Sequence, residues 1–592
     1  MFKLFGLFSR RDWILLATAV IFIVAGVWMD LAIPGYLGEI TDLVTNPLRD
    51  GTLGEVWTQG AYMLAFAIGS MLTSFIVAWA GALISSNHSA RIRRAIYTRV
   101  GEFSQNEIKK FSIASLITRS TNDVTQVRMF VAMAIQMMLY APILAVWAII
   151  RMTNTSWELS LVTGIAVLSI IIVPVIIVIF CVPRFKKIQK ATDRLNQVAR
   201  ENLTGIRVVR AYNAEEFEQE KFEQVNTELA RNNLFVNRLM GIAWPFMALV
   251  LSVVVVAIYW VGSWIIASGN VGDSQRFFGD IMVFSQYSIQ ILWAFLMLIW
   301  ILTLLPRTIV SAKRINEILA TQSTIVNPEN PVSGLGEAFD RDGTIEFSQV
   351  NFKYPGAEEN VLSDINLKIK RGQTVAFIGG TGCGKSTLVN HLPRIFDPTC
   401  GKITIGGICI RDVRLLELND FVGYIPQTAV LFGGTIRDNI AFGTIDGGRE
   451  ITDEEVERAL RVSQSWDFVS KLDDGVNSRM DQQGKNFSGG QKQRLSIARV
   501  VARNPRIYVF DDTFSALDFK TDKKLRAALK KETGDATVII VAQRIGTIRT
   551  ADQIFVMDKG RIVGSGKHDE LMKNCEVYRQ IAQSQLSEEE LR

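Results

Sequence analysis

IYVFDDTFSALD, Ile507 to Asp518, is a run of aliphatic and aromatic residues that ends in two consecutive aspartates and passes into Ser515-Ala516-Leu517-Asp518. A buried strand of this kind delivers carboxylates to its C-terminal tip, where open α/β sheets bind their ligands. One carboxylate there is placed to hold Mg²⁺ on a nucleotide, and the next sits where an attacking water needs a base. A core strand that merely ends in Asp-Asp is the plainer alternative. The rest of the chain decides between the two.

Upstream, Thr374-Val375-Ala376-Phe377-Ile378 is a second short buried-strand pattern. It feeds Gly379-Gly380-Thr381-Gly382-Cys383-Gly384-Lys385-Ser386-Thr387, a complete G-x-x-x-x-G-K-S loop in strand-to-helix context. Glycines let backbone N–H groups close around phosphate oxygens, helped by the positive end of the following helix. Lys385 is expected to reach the β- and γ-phosphates and Ser386 to ligate Mg²⁺. The pattern points to nucleotide binding without choosing among NTPase families.

Composition divides the chain. Of the 592 residues 48% are hydrophobic, and the mean hydropathy of +0.21 is high for a soluble protein. Six apolar stretches in the first half are long enough for the roughly 20 residues a membrane helix needs. They lie near Trp13–Leu37, Trp57–Ile84, Met129–Ile150, Leu159–Val182, Ile242–Ile266 and Ile281–Leu305. Asp30 and Pro34 sit near the far end of the first, and no charged residue interrupts the centre of any span, which disfavours an ion pathway or proton relay. The long second and fourth loops are rich in Lys and Arg, including Arg91, Arg93, Arg94, Arg184 and Lys187. By the positive-inside rule both termini and both loops face the cytoplasm. Each loop breaks at its middle, around Phe111–Ser115 and Ala211–Ala214. A short helix there could dock on a cytoplasmic domain, and simple helical hairpins are the alternative.

The net charge of +6 needs no polyanionic partner, and no basic tract with interleaved aromatics speaks for nucleic acid. Five cysteines without paired metal spacing read as reduced thiols.

Asn486-Phe487-Ser488-Gly489-Gly490-Gln491 selects the family. Together with the P-loop and IYVFDD it resembles the signature of ATP-binding-cassette (ABC) proteins, and the resemblance covers the whole chain. Thr118–Val124 and Glu201–Arg207 are similar to cytoplasmic loops of ABC exporters. The fold class implied is an α-helical six-span transmembrane domain (residues 1–320, with two coupling segments), a linker (321–341) and an α/β P-loop ATP-binding-cassette domain (342–592). The resemblance implies that two such chains pair, each ATP lying between one P-loop and the other chain's signature. It implies that Tyr354 stacks on adenine, that Gln427 contacts Mg²⁺ and senses the membrane domain, and that Asp511 holds Mg²⁺ through water. Ser488, Gly489, Gly490 and Gln491 would bind ATP held by the opposite chain, with Asp518 reaching across the same interface.

Two positions depart from the family. Asp512 stands where a Glu polarises water, and Gln543 stands where the switch segment has His. An Asp carboxylate falls back by about 1.5 Å, and a positioned base is worth about 10²–10⁴ in rate. Gln can donate a hydrogen bond but carries no proton to transfer. Both losses fall on hydrolysis, whereas the nucleotide-holding residues are intact. This chain's own site is therefore expected to bind ATP and hydrolyse it poorly, beside a non-identical partner chain that supplies Glu and His. The expected activity is export of hydrophobic or amphipathic compounds, as in multidrug exporters, across the cytoplasmic membrane, with membrane lipid around the spans. A homodimer that tolerates both residues, a lipid or peptide exporter, and a regulatory protein using ATP as a structural ligand remain as alternatives.

Overall fold

The computed structural model describes residues 2–45, 53–153, 156–268, 274–445 and 448–585. They form two compact units, Met1–Gly101 with Ile113–Thr321, and Glu102–Ser112 with Gln322–Arg592.

The first unit is helical. Among the described residues six stretches are long and apolar enough to cross a membrane. They are Arg10–Thr45, Leu53–Gly101, Ile113–Thr153, Trp157–Ala211, Glu215–Ala267 and Ser274–Ala320, here spans 1 to 6. Each outruns its apolar core, because the flanking polar sequence keeps apolar residues at helical spacing. Span 1 continues eight residues beyond Leu37, so Asp30 lies well inside a helix rather than near its end. Large apolar side chains such as Phe75, Trp79, Ile172 and Trp260 are exposed along the helices. Lipid or another apolar surface covers such faces without the cost water imposes. Span 3 contains two π-helical turns, Arg119–Asp123 and Ala134–Met138. Near the first, Ser311 of span 6 donates to Asp123 at 2.7 Å, joining two spans through a buried polar contact.

The second unit is α/β. Its strands are β1 (Thr344–Phe352), β2 (Leu362–Lys370), β3 (Thr374–Gly379), β4 (Cys400–Ile405), β5 (Ile408–Cys409), β6 (Val422–Ile425), β7 (Gly434–Thr435), β8 (Arg479–Met480), β9 (Ile507–Asp511), β10 (Thr537–Val541), β11 (Gln553–Asp558) and β12 (Arg561–Gly566). The main sheet has the order β12-β11-β3-β10-β9-β6, beside a four-stranded sheet β2-β1-β4-β5. From β11 to β6 every neighbour is parallel. A parallel strand buried on both faces reads as a continuous apolar run, and all five residues of β9 are buried. Alternation then sorts side chains to opposite faces. Val375, Phe377, Val509 and Ile539 join one core, while Ala376, Ile378, Tyr508, Phe510 and Ile540 join the other.

The stretch read as a linker holds more structure than its composition implied. Its end forms a helix, Leu335–Asp342, with Leu335 and Phe339 fully buried and Phe339 edge-on to Phe421 at 5.3 Å. Gly and Pro mark the turns before that helix, and they masked its two apolar anchors.

Candidate ATP site

Four parallel strands bring the site residues to one edge of the main sheet. The loop after β3 carries Gly380–Ser386, β9 ends at Asp511 and leads into Asp512, β10 leads to Gln543, and β6 leads to Gln427. Register aligns them, since Val541 of β10 lies beside both Phe377 and Asp511. Residues scattered from Gly380 to Gln543 in the sequence thus converge at the C-terminal ends of adjacent strands, the general ligand position in open α/β sheets.

Gly379 has φ +159°, and a Cβ there would lie 2.1 Å from the carbonyl oxygen of Met557 in β11. Only a residue without a side chain lets the loop leave the sheet so close to its neighbour. Lys385 is buried, and its Nζ donates to the carbonyls of Gly379 and Gly380 at 2.8 Å each. The helix after the loop spans only Lys385–Val389 before passing into turns. Tyr354, Thr381, Gly382, Gly384, Lys385, Ser386, Thr387, Gln427, Asp512 and Gln543 border one cavity of 340 Å³. Gly379, exposed Gly380 and buried Cys383 do not border it.

Ser386 Oγ donates to Asp511 Oδ1 at 2.7 Å, and the Tyr424 hydroxyl donates to Oδ2 at 3.2 Å. Burial pushes the Asp511 carboxyl above the usual carboxylate range, opposed by those two bonds and by the charge of Lys385. Asp512 has φ +48° and is almost wholly buried. Its Oδ2 accepts from Gln427 Nε2 at 3.1 Å and from Gln543 Nε2 at 2.8 Å. Burial raises the Asp512 carboxyl as well; the bond from Gln427 opposes this and the charge of Asp511 reinforces it. The two departures from the family pattern therefore touch each other.

Tyr354 is set by an edge-on contact with Phe352, with its hydroxyl 3.1 Å from Thr387 Oγ1. Lys109 Nζ lies 4.7 Å from the centre of its ring. Ser488 to Gln491 do not border the cavity. They begin the helix Gly489–Arg503, where Ser488 Oγ accepts from the Gln491 N–H and Gln491 Oε1 accepts from the Ser488 N–H at 2.8 Å. Asp518 caps the next helix, accepting from Thr521 N–H at 2.9 Å, and that bond holds its carboxyl below the usual range.

Three contacts were not legible in the sequence: Tyr424 on Asp511, Lys109 on Tyr354, and buried Gln493, whose Nε2 donates to Pro426 O at 3.3 Å beside Gln427. Each joins residues distant in the chain. Only the aromatic before Ile425-Pro426-Gln427 offered a signal, as a polar-tipped ring at the end of a buried strand.

Comparison with known proteins follows the same division. Residues 16–295 match the family model for the ABC transporter transmembrane region, and residues 362–515 match that for the ABC transporter ATP-binding domain. A Mycobacterium tuberculosis protein named as an uncharacterized ABC transporter ATP-binding protein is 38% identical over 92% of each chain. The chain belongs to the ABC transporter family. Another such protein, from Bacillus subtilis, is 31% identical over 92% of this chain and 93% of its own. An ATP-dependent lipid A-core flippase of Vibrio vulnificus is 27% identical, covering 89% and 87%. The structure of a bacterial Atm1-family ABC exporter with ATP bound superposes with a TM-score of 0.77 over 98% of this chain and 99% of that one, at 22% identity, and shares the fold. This ABC transporter is a multi-pass membrane protein that joins one transmembrane region to one ATP-binding domain, the half-transporter arrangement.

Proposed function

We propose that the chain is one half of a heterodimeric exporter that uses ATP to move hydrophobic or amphipathic compounds out across the cytoplasmic membrane, its termini and ATP-binding domain on the cytoplasmic side. In this reading its own P-loop site holds ATP and hydrolyses it slowly. A non-identical half-transporter supplies the Glu and His of the site completed by this chain's Ser488–Gln491. One observation carries it: Asp512 Oδ2 is engaged by both Gln427 and Gln543. A base must be free to reach the proton it takes. Here the short carboxylate is turned toward two amide donors, and the switch residue that would meet the γ-phosphate is bound to that carboxylate.

Ser386, Gln427 and Asp511 offer hard oxygen donors suited to Mg²⁺, which takes few protein ligands and completes its shell with water and phosphate. When bound, Mg²⁺ would neutralise charge on the β- and γ-phosphates. Lys385 would bind phosphate, and Tyr354 would orient the adenine.

The test is paired substitution in the assembled transporter. Replacing the partner's Glu by Gln should abolish ATP turnover, whereas Asp512→Asn should change it less than about tenfold. The reverse pattern would end the heterodimer reading. A lipid cargo is the second reading, favoured by the lipid flippase among the relatives. Stimulation of turnover by lipid alone, with none from small amphipaths, would select it.

A further inference from the structure

Span 1 carries a carboxylate that the ATP chemistry does not use. Asp30 is flanked by Trp28, Met29, Leu31 and Ala32. Ser70 of span 2 donates to its Oδ1, and Tyr140 of span 3 donates to Oδ2 at 2.7 Å. Gln290 of span 6 sets its amide nitrogen 3.5 Å from the main-chain carbonyl of Asp30, and its own Oε1 is buried without a hydrogen-bond partner. Four spans meet at this residue. Among the described residues no Lys, Arg or His forms an ion pair with it. Ionisable side chains in membrane spans are costly to keep and mark substrate or ion paths.

A cavity of 330 Å³ lies between the spans, and Asp30 stands one side chain behind its wall rather than in it. Tyr140 both holds Asp30 and lines that cavity. Gly26, also in the wall, stands one helical turn before Asp30 on the same face. Thr73, another wall residue, donates to the carbonyl of Ser70 at 2.8 Å. Phe22, Val77, Met137 and Met297 make much of the remaining wall apolar and polarisable. The π turn Ala134–Met138 carries Gln136 and Met137 to the same wall, and such turns recur at functional sites.

We propose that this cavity binds lipophilic cations, with Asp30 as the counter-charge, so that the export reaction inferred above selects positively charged amphipaths. The inference rests on that reading and narrows its substrate class. A carboxylate with no cationic partner among the described residues, one side chain behind the wall of a largely apolar cavity, attracts a delocalised cation there and repels an anion of the same shape. Bulky aromatic cations are weakly hydrated and lose little on entering. A purely structural Asp30, tying spans 1, 2 and 3 together, is the competing account. Asn in its place would accept from one of the two hydroxyls through Oδ1 and donate to the other through Nδ2, so charge and scaffolding separate experimentally.

The full-length chain with its co-purified partner, in lipid nanodiscs, would be titrated with tetraphenylphosphonium and with tetraphenylborate, ions of nearly one shape and opposite charge. Wild type should bind the phosphonium and not the borate beyond lipid partitioning. Asp30→Asn should weaken phosphonium binding by about tenfold, and Asp30→Glu should preserve the preference. Equal binding of both ions, no binding of either, or an unchanged affinity in Asp30→Asn would overturn the proposal. Should the Asn variant not assemble, the wild-type comparison of the two ions decides alone. Uncharged lipophiles separate the levels. If they stimulate ATP turnover while the phosphonium binds no better than the borate, only the cation inference falls. If no lipophile of any charge stimulates turnover, the export reading falls with it.

Discussion

Asp512 and Gln543 act as a pair, because the shorter carboxylate and the amide satisfy each other at 2.8 Å. Restoring one alone leaves the other in its way. If a partner chain supplies the Glu as proposed, then with that Glu replaced by Gln, Asp512→Glu combined with Gln543→His should raise ATP turnover at this chain's own site by about 10²-fold or more. Either single change should do far less, and single-turnover measurements on the three variants check this. Backbone geometry adds a cost. At φ +48° Asp is tolerated better than longer side chains, so Asp512→Glu should also lower thermal stability slightly. Asp511 titrates in a direction set by burial. Its folded-state pKa lies above the ordinary value of 3.8, so the folded chain takes up the proton more readily than the unfolded chain. That contribution to stability is fully present below the unfolded value and is lost as pH rises through the raised folded value. Mg²⁺-dependent nucleotide binding at Asp511, as proposed, would run the opposite way, since it would need the ionised carboxylate. Titrations at falling pH should show Mg²⁺-dependent affinity declining at a higher pH than an ordinary Asp would set, with Mg²⁺-independent binding less affected.

At the scale of elements, the signature helix is closed by its own first residues. The reciprocal bonds of Ser488 and Gln491 form a capping box, and Ser488→Ala should cost about 1 kcal/mol of stability. Ser488→Thr should keep the cap, and unfolding curves of the two variants should separate accordingly. If Ser488 also meets the partner's nucleotide, the Ala variant should lose turnover in the assembled pair beyond what instability explains. Such local devices were visible in the sequence, because the residues that cap a helix stand three apart. The same holds for the P-loop, whose glycines and lysine are contiguous, and for β9, whose run of apolar residues announces burial on both faces. The π turns of span 3 left no such trace: RSTND and AIQMM have no composition that marks a widened turn.

For the molecule as a whole, six apolar runs and one P-loop sufficed for the fold class, since hydropathy and phosphate binding impose strong local requirements. What escaped were long-range pairings. Tyr424 with Asp511 and Gln493 with Pro426 depend on strand order, and Asp30 with Tyr140 depends on which helix faces meet. Asp30 looked peripheral because apolar density thins after Ile33, yet the helix continues to Thr45. Helix length itself has a mechanical corollary. Span 2 runs from Leu53 to Gly101, 49 residues with no proline, which at 1.5 Å per residue makes a rod of about 73 Å. Pivoting such a rod by about 5° sweeps its tip through about 6 Å. A small rearrangement of side chains near Ser70, about 46 Å from Gly101 along this rod, would thus be amplified into a displacement of about 4 Å there, by leverage alone.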